Sequence, residues 1–321
     1  MSFETMTAHT LRPAVAPTLY FIGVTTGSSS IQTVFPVWAE QLGLTGARLQ
    51  GVDMPLHAPV EDYRTVVEFI KSDPLSLGAL VTTHKIDLFR AASDLFDYID
   101  PFAQMMGETS CLSKTADGLM CHAKDPISSG LALDAFIADG YWERSGGQVL
   151  SIGAGGSTIA ISWFLSQHAK GVDRPSSIIV SNRSQPRLDH LREIHDTLDT
   201  DTPFEYMLAP GSSDNDRILR SLEPGSLVIN ATGLGKDAPG SPITDAARFP
   251  ANGLAWELNY RGDLLFLYQA RSQSDRLAHV EDGWIYFLHG WTQVIGEVFH
   301  VTIPTSGPSF DELSLSAKVA R

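Results

Sequence analysis

The chain is 321 residues long with 43% hydrophobic content, room for two domains that each bury a core. Lysine and arginine total 23 against 37 aspartates and glutamates; the net charge of −14 repels phosphate backbones and anionic lipid, which argues against nucleic acid and membrane as partners. No stretch approaches the about 18 uncharged apolar residues of a membrane span, and the start of the chain does not read as an export signal, so a cytoplasmic protein is expected.

Residues 1–16 are polar, proline-marked and aperiodic, and are expected to form a loose tail. From Leu19, apolar runs alternate with helical spacing: LYFIGV, a helix over 31–43, RLQGVDM, a helix over 60–71, and GALVTT. That β-α-β-α-β order is the pattern of a parallel sheet. Its last strand runs into Thr82, Thr83, His84 and Lys85. Residues 107–123 read as two short strands around the turn KTADG. Asp125 and Pro126 then stand at the N-cap and first position of a helix. Cys111 and Cys121 form no disulfide framework and have no histidines at metal spacing; both are expected as reduced structural thiols, with no metal site.

A second alternation starts at 147: QVLSIGAGG, a helix to 168, SSIIVSNR, a helix over 185–197, FEYMLA, SLVINATG and GLAWELN. It predicts a second parallel α/β unit with its own sheet. Residues 284–300 and 308–318 have helical spacing, and no further strand is expected. The expected fold class is α/β, in two domains.

VLSIGAGGST places Gly153, Ala154, Gly155, Gly156 and Ser157 directly after a strand and before a helix. Glycine there lets the backbone approach a pyrophosphate at a helix N-terminus, although a plain glycine-rich turn would look the same. The third glycine of G-x-G-x-x-G is missing, with Thr158 in its place. The next strand ends in NRSQPR, where the ribose of a dinucleotide lies. An acidic residue there would hold the free 2′-hydroxyl of NAD. This chain offers Asn182, Arg183, Ser184 and Arg187 instead, and two guanidiniums four positions apart suit the 2′-phosphate of NADP. The plain alternative is two solvated arginines opening a helix. Farther on, LVINATGLG ends a strand in small residues, so Asn230, Ala231, Thr232 and Gly233 could lie against a flat ring or simply form a tight exit.

In this order and spacing, VTTHK, GETSCL, CHAKDP, IGAGGSTIAI, NRSQPR, INATGLG and ELNY resemble the shikimate dehydrogenase family, with its quinate-using and other divergent relatives, over residues 19–300. The resemblance implies a substrate-binding catalytic domain over 17–127 and 283–321, a Rossmann NADP-binding domain over 128–282, and C-terminal helices returning to the first domain, with the active site in the cleft. It implies a catalytic pair whose matches are Lys85 and Asp125, a substrate pocket that includes Thr82 and Tyr260, and a place in aromatic amino acid biosynthesis. A polar Thr82 and Lys85 at the carboxyl end of a parallel strand stand where ligands of such sheets bind. Moving hydride between a carbinol carbon and nicotinamide needs a group that takes or returns the hydroxyl proton, and a lysine beside an aspartate in a partly dry site can do so. Without the resemblance, Asp125 could serve only as a helix cap and Lys85 as a solvated helix start.

Several substrate-side positions depart from the family. Of two serines that hold the substrate carboxylate, the first matches Ser29 and the second falls on Ile31; a one-residue slip would recruit Ser28 and Ser30. Ser110 replaces an asparagine, and Gly290 stands where a glutamine reaches a substrate hydroxyl. A site built to hydrogen-bond hydroxyls discriminates steeply when its partners change. The expectation is an NADP-dependent oxidoreductase interconverting a secondary alcohol and a ketone on a small cyclic hydroxy-carboxylate, shikimate- or quinate-like. The alternatives are a relative with a different polar ring substrate and a catalytically silent dinucleotide sensor. Monomer and homodimer both remain open.

Overall fold

The computed structural model describes residues 3–236 and 238–320. Its contacts divide the chain into two compact units, Met1–Lys124 with Gly290–Arg321, and Asp125–His289. Among the described residues no helix is long and apolar enough to cross a membrane.

The first unit contains β1 (Thr5–Met6), β2 (Thr18–Gly23), α1 (Ile31–Gln41), β3 (Arg48–Asp53), α2 (Val60–Ser72), β4 (Ser76–Val81), α3 (Lys85–Ala92), β5 (Tyr98–Ile99), α4 (Pro101–Met106), β6 (Cys111–Thr115) and β7 (Gly118–His122). Its sheet runs β1-β3-β2-β4-β6-β7-β5. The strands β1 to β4 pair in parallel, and β6 lies antiparallel to both β4 and β7. All six residues of β2 are buried, the state of a strand covered on both faces. One face carries Tyr20, Ile22 and Val81 against Val66, Val67 and Ile70 of α2 and Leu88 of α3. Fully burying each such side chain contributes about 1.5–3 kcal/mol.

Within the expected tail, the described residues 3–16 are not loose: Thr5 and Met6 pair in register with Gly51 and Val52, and the Ala14 amide donates to Asp73. A two-residue edge strand is too short for period-two patterning to reveal it. The hairpin of β6 and β7 is present, with Cys111 opposite His122 and Leu112 opposite Cys121. Both cysteines are buried free thiols.

The second unit contains α5 (Asp125–Asp134), α6 (Tyr141–Ser145), β8 (Val149–Ile152), α7 (Gly156–Leu165), β9 (Ile178–Asn182), α8 (Gln185–His195), β10 (Phe204–Leu208), α9 (Ser212–Ser221), β11 (Leu227–Asn230), β12 (Gly253–Glu257), α10 (Leu265–Arg271), β13 (Leu277–Glu281) and the start of α11 (Trp284–Phe299). The sheet order is β10-β9-β8-β11-β12-β13, parallel throughout. Counted within this unit the order is 3-2-1-4-5-6, that of a Rossmann fold. The sixth strand, β13, was not expected; LAHVE is half polar because it forms a sheet edge with one neighbour. The helix α5 opens on Asp125 itself, one residue earlier than the N-cap reading.

The remainder of α11, from Gly290, and α12 (Pro308–Ala320) belong to the first unit. There Trp291 packs edge-on against Phe21 of β2, and Trp38 of α1 donates through Nε1 to the Leu313 carbonyl of α12 at 2.9 Å. Trp291 is thus a packing residue.

Candidate active site

In a sheet of this order the strand direction of travel reverses between β8 and β11, and ligands bind at the carboxyl ends of the strands there. The residues after β8 are built for close approach. Gly153 has φ +116°, and a Cβ on it would stand 2.6 Å from the Ala231 carbonyl oxygen after β11. At Gly155 a Cβ would meet nothing within 4 Å, and this residue is the N-cap of α7 with no side chain capping the helix. Space and unsatisfied N–H groups at a helix N-terminus suit an anion. Ala154 is buried and Gly156 and Ser157 form the first turn of α7. Thr158, in place of a third glycine, is fully buried, and its hydroxyl bonds the Gly153 carbonyl at 2.8 Å and Ser151 Oγ at 2.9 Å. The threonine ties helix to strand where glycine would only let them touch.

After β9, Asn182 Oδ1 accepts the Arg183 amide at 2.8 Å and Ser184 caps α8 without a side-chain bond. Arg183 is exposed and Arg187 half-buried, and neither guanidinium has a hydrogen bond or ion pair with the described residues. No carboxylate takes the place of the acid that would hold a free 2′-hydroxyl. Two uncommitted guanidiniums and an open glycine turn fit a 2′-phosphorylated dinucleotide.

After β11 the predicted ring-facing residues divide. Asn230 is buried, with Oδ1 accepting from the Thr232 amide and hydroxyl and Nδ2 donating to Glu257 Oε2 at 2.7 Å. Its amide and the Thr232 hydroxyl are therefore spent on shaping the exit, while Ala231 and Gly233 contribute backbone. Glu257 is wholly buried; burial pushes its carboxyl up to about 7 against three donors from Asn230 and Asn259.

In the first unit the carboxyl ends of β2, β3 and β4 are laced together. The Thr82 amide donates to the Ile22 carbonyl, and the Met54 amide to that of Gly23. Thr83 has φ +60°, strained for a β-branched residue and a kind of strain that clusters at functional sites. His84 is buried, with Nε2 3.1 Å from the Met54 carbonyl and Nδ1 3.0 Å from the Tyr63 hydroxyl. A carbonyl only accepts, so Nε2 carries the proton and Nδ1 accepts from the phenol. Burial holds His84 below its ordinary pKa and Tyr63 up to about 12. His84 is a core histidine that fixes the turn leading to Lys85.

Lys85, half-buried, is the first residue of α3, and its carbonyl accepts the Thr109 amide at 3.2 Å. The neighbouring Ser110 is buried, and its Oγ accepts the Lys124 amide at 2.7 Å. Thr82, Lys85 and Ser110 thus share one corner of the sheet, and Ser110 shapes the turn at Lys124. Ser29 is buried in the β2–α1 loop, whose Thr26 is held by Asp53 through Oγ1 at 2.5 Å. Ser30 precedes α1 but makes no side-chain cap. Gly290 has open space where its Cβ would be. His122 lies between Asp100 and Glu297, at 3.3 and 3.4 Å, and Lys124 forms an ion pair with Glu297 at 2.6 Å that braces the end of the hairpin.

In the second unit Asp125 is buried, and its Oδ2 lies 3.2 Å from the hydroxyl of Tyr286, which also lies 3.2 Å from Ser157 Oγ. Nothing in the local sequence marks Tyr286, which is 161 positions from Asp125. Tyr260 packs at 4.4 Å between centroids on Phe287, which stacks on Trp284.

A two-unit α/β protein with a Rossmann sheet and an open glycine turn is the class this architecture defines. No protein-family model matches the sequence. The chain is 26% identical over 223 residues, 70% of its length and 71% of the relative's, to a shikimate dehydrogenase (NADP(+)) of Paramagnetospirillum magneticum. Among solved structures it resembles a shikimate 5-dehydrogenase of Thermus thermophilus in complex with NADP(H) and shikimate, with 21% identity, a TM-score of 0.68 and coverage of 95% of this chain and 99% of that one. A quinate dehydrogenase of Corynebacterium glutamicum in complex with NAD matches with 16% identity, a TM-score of 0.69 and the same coverage. The chain is thus similar in sequence to a shikimate dehydrogenase and shares the fold of the solved shikimate and quinate dehydrogenases.

Proposed function

We propose that this protein is an NADP-dependent oxidoreductase that interconverts a secondary alcohol and a ketone on a small cyclic hydroxy-carboxylate of the shikimate or quinate type. The observation that carries the reading is the pairing of an open Gly155 turn before α7 with the uncommitted Arg183 and Arg187 after β9. In this reading Asp125–His289 holds the nucleotide and the other unit the substrate. The glycine turn takes the pyrophosphate on backbone N–H groups, Arg183, Arg187 and Ser184 take the 2′-phosphate, and Ala231 and Gly233 leave room for a flat ring.

When bound, nicotinamide accepts or supplies the hydride. Lys85 takes the proton of the substrate hydroxyl in oxidation and returns it in reduction. Asp125 accepts a hydrogen bond from the substrate hydroxyl and so orients it. Thr82 and Ser29 line the substrate's place.

A narrower reading, a relative specialised for another polar ring compound, is favoured by two observations. The Ser110 hydroxyl is engaged by the Lys124 amide, and Gly290 offers no side chain to a hydroxyl. Following the absorbance of reduced nicotinamide with NADP+ and a panel of cyclic hydroxy acids tests both. Turnover with shikimate or quinate supports the first reading, and turnover only with another ring compound the second. Nucleotide binding without turnover of any compound would leave a sensor.

A further inference from the structure

We infer that Tyr286 is a positioning residue for Asp125 and ties that carboxylate to the nucleotide turn; the inference rests on the catalytic role proposed for Asp125. The Tyr286 hydroxyl stands 3.2 Å from Asp125 Oδ2 and 3.2 Å from Ser157 Oγ. A phenol has one proton to give, and an ionised carboxylate can only accept. Tyr286 therefore donates to Asp125, with Ser157 Oγ as a second acceptor at the same distance. The one phenol proton is shared between the carboxylate and the serine oxygen.

Each member is held at its other end. Asp125 opens α5, and its carbonyl accepts the Ser129 hydroxyl at 2.6 Å. Ser157 lies in the first turn of α7, directly after the Gly155 cap. Tyr286 lies in the first turn of α11, and its ring packs edge-on against Trp256 of β12 at 5.6 Å between centroids, which fixes where the hydroxyl points. The helices α5 and α7 also pack closely, since a Cβ on Gly130 would lie 2.4 Å from the Phe164 ring. Three rigid elements thus converge on one hydroxyl.

This arrangement gives Tyr286 two effects. Its donation holds the carboxylate in one orientation. Its second acceptor, Ser157, lies in the first turn of α7, so a ligand that engages that serine leaves the phenol proton to Asp125 and the carboxylate's support responds to occupancy of the turn.

The test is Tyr286→Phe in the full-length protein, which keeps the ring contact with Trp256 and removes only the hydroxyl. The expected result is a fall in kcat of about tenfold to a hundredfold, the size of effect that misplacing a reacting group produces. The KM for NADPH stays within about twofold. Tyr286→His, which retains a donor, restores part of the rate. In an Asp125→Asn background, Tyr286→Phe adds no further loss. If Tyr286→Phe folds poorly, Tyr286→His carries the test: a kcat between those of wild type and Asp125→Asn with an unchanged KM for NADPH supports the inference, and a kcat equal to that of Asp125→Asn overturns it. A kcat unchanged in Tyr286→Phe, while Asp125→Asn abolishes turnover, overturns the inference and leaves the catalytic reading standing. Unchanged turnover in Asp125→Asn overturns the catalytic reading itself.

Discussion

The carboxyl edges of the two sheets treat their polar groups in opposite ways. In the nucleotide unit the edge is left open: no side chain caps α7, Gly155 has empty space beside it, and Arg183 and Arg187 are uncommitted among the described residues. In the first unit the edge is largely closed by its own bonds. Ser110 is occupied by the Lys124 amide, His84 by Tyr63 and Met54, and Thr26 by Asp53. An edge that recognises a phosphate can do so with backbone N–H groups and long cations, which need little from neighbouring side chains. An edge that recognises one polyhydroxylated ring must place several hydroxyls and amides at once, so each substitution there rebuilds the pocket.

The largest effect that can break this contrast is at Lys85. Replacing it with alanine is expected to lower kcat by about 10²–10⁴, the range of a lost general acid or base, with the Kd for NADPH unchanged by fluorescence titration. A comparable loss of nucleotide affinity would mean that Lys85 serves the nucleotide edge instead. Next comes the arginine pair. Removing both Arg183 and Arg187 takes charge-assisted bonds of about 1.5–3 kcal/mol each from a 2′-phosphate, so affinity for NADP+ should fall more than about tenfold while that for NAD+ holds. Equal losses for both nucleotides would make the arginines general surface cations.

The same contrast explains what could be read from the linear sequence. The glycine turn and NRSQPR were legible because local backbone demands a particular residue at a fixed offset from a strand. Thr158 shows the limit: it breaks the glycine pattern, yet the helix stays seated because its hydroxyl bonds Ser151 and Gly153. The edge strands β1 and β13 escaped because one is two residues long and the other half polar. Tyr286 was invisible for a different reason. Its relation to Asp125 spans 161 positions and exists only once α5, α7 and α11 are assembled. Asn230 reads in the sequence as a residue that could lie against a flat ring, and only the fold shows its amide facing Glu257.

Acid should sharpen the comparison by loosening the two units through different buried groups. Burial lowers His195 to about 3 and His289 to about 4, both in the nucleotide unit, and lowers His84 in the first unit. A histidine kept neutral in the fold stabilises it fully above its unfolded pKa of about 6.5, and that contribution drains away as pH falls, by about 1.4 kcal/mol per pH unit for each group. Glu257 works the other way. With its pKa raised to about 7, it favours the fold most below its ordinary value of 4.5 and loses that contribution as pH rises through 7. In the nucleotide unit the two histidines are partly offset by Glu257, and the first unit loses the contribution of His84, so hydrogen exchange between about pH 6.5 and 5 should accelerate in both β8 to β12 and β2 to β4. Phe substitution of His195 should flatten the response of β8 to β12 alone, and an equal flattening in the first unit would refute the assignment.

The smallest expected effect tests whether the closed edge can be partly reopened. At Gly290 a Cβ meets nothing within 4 Å, so a side chain can enter without displacing its neighbours. Gly290→Gln should also stabilise α11, because glycine in a helix interior costs about 0.8–1.0 kcal/mol relative to alanine and glutamine far less. If the glutamine reaches a ring hydroxyl, one neutral hydrogen bond of about 0.5–1.5 kcal/mol should improve kcat/KM for shikimate by about twofold to tenfold. The two consequences separate cleanly: a higher Tm reports only the helix, whereas the gain in kcat/KM requires the substrate's hydroxyl. A variant that melts higher yet handles shikimate no better would show that the remodelled Ser110 and Ile31 positions, and not the missing glutamine, set the ring this protein accepts.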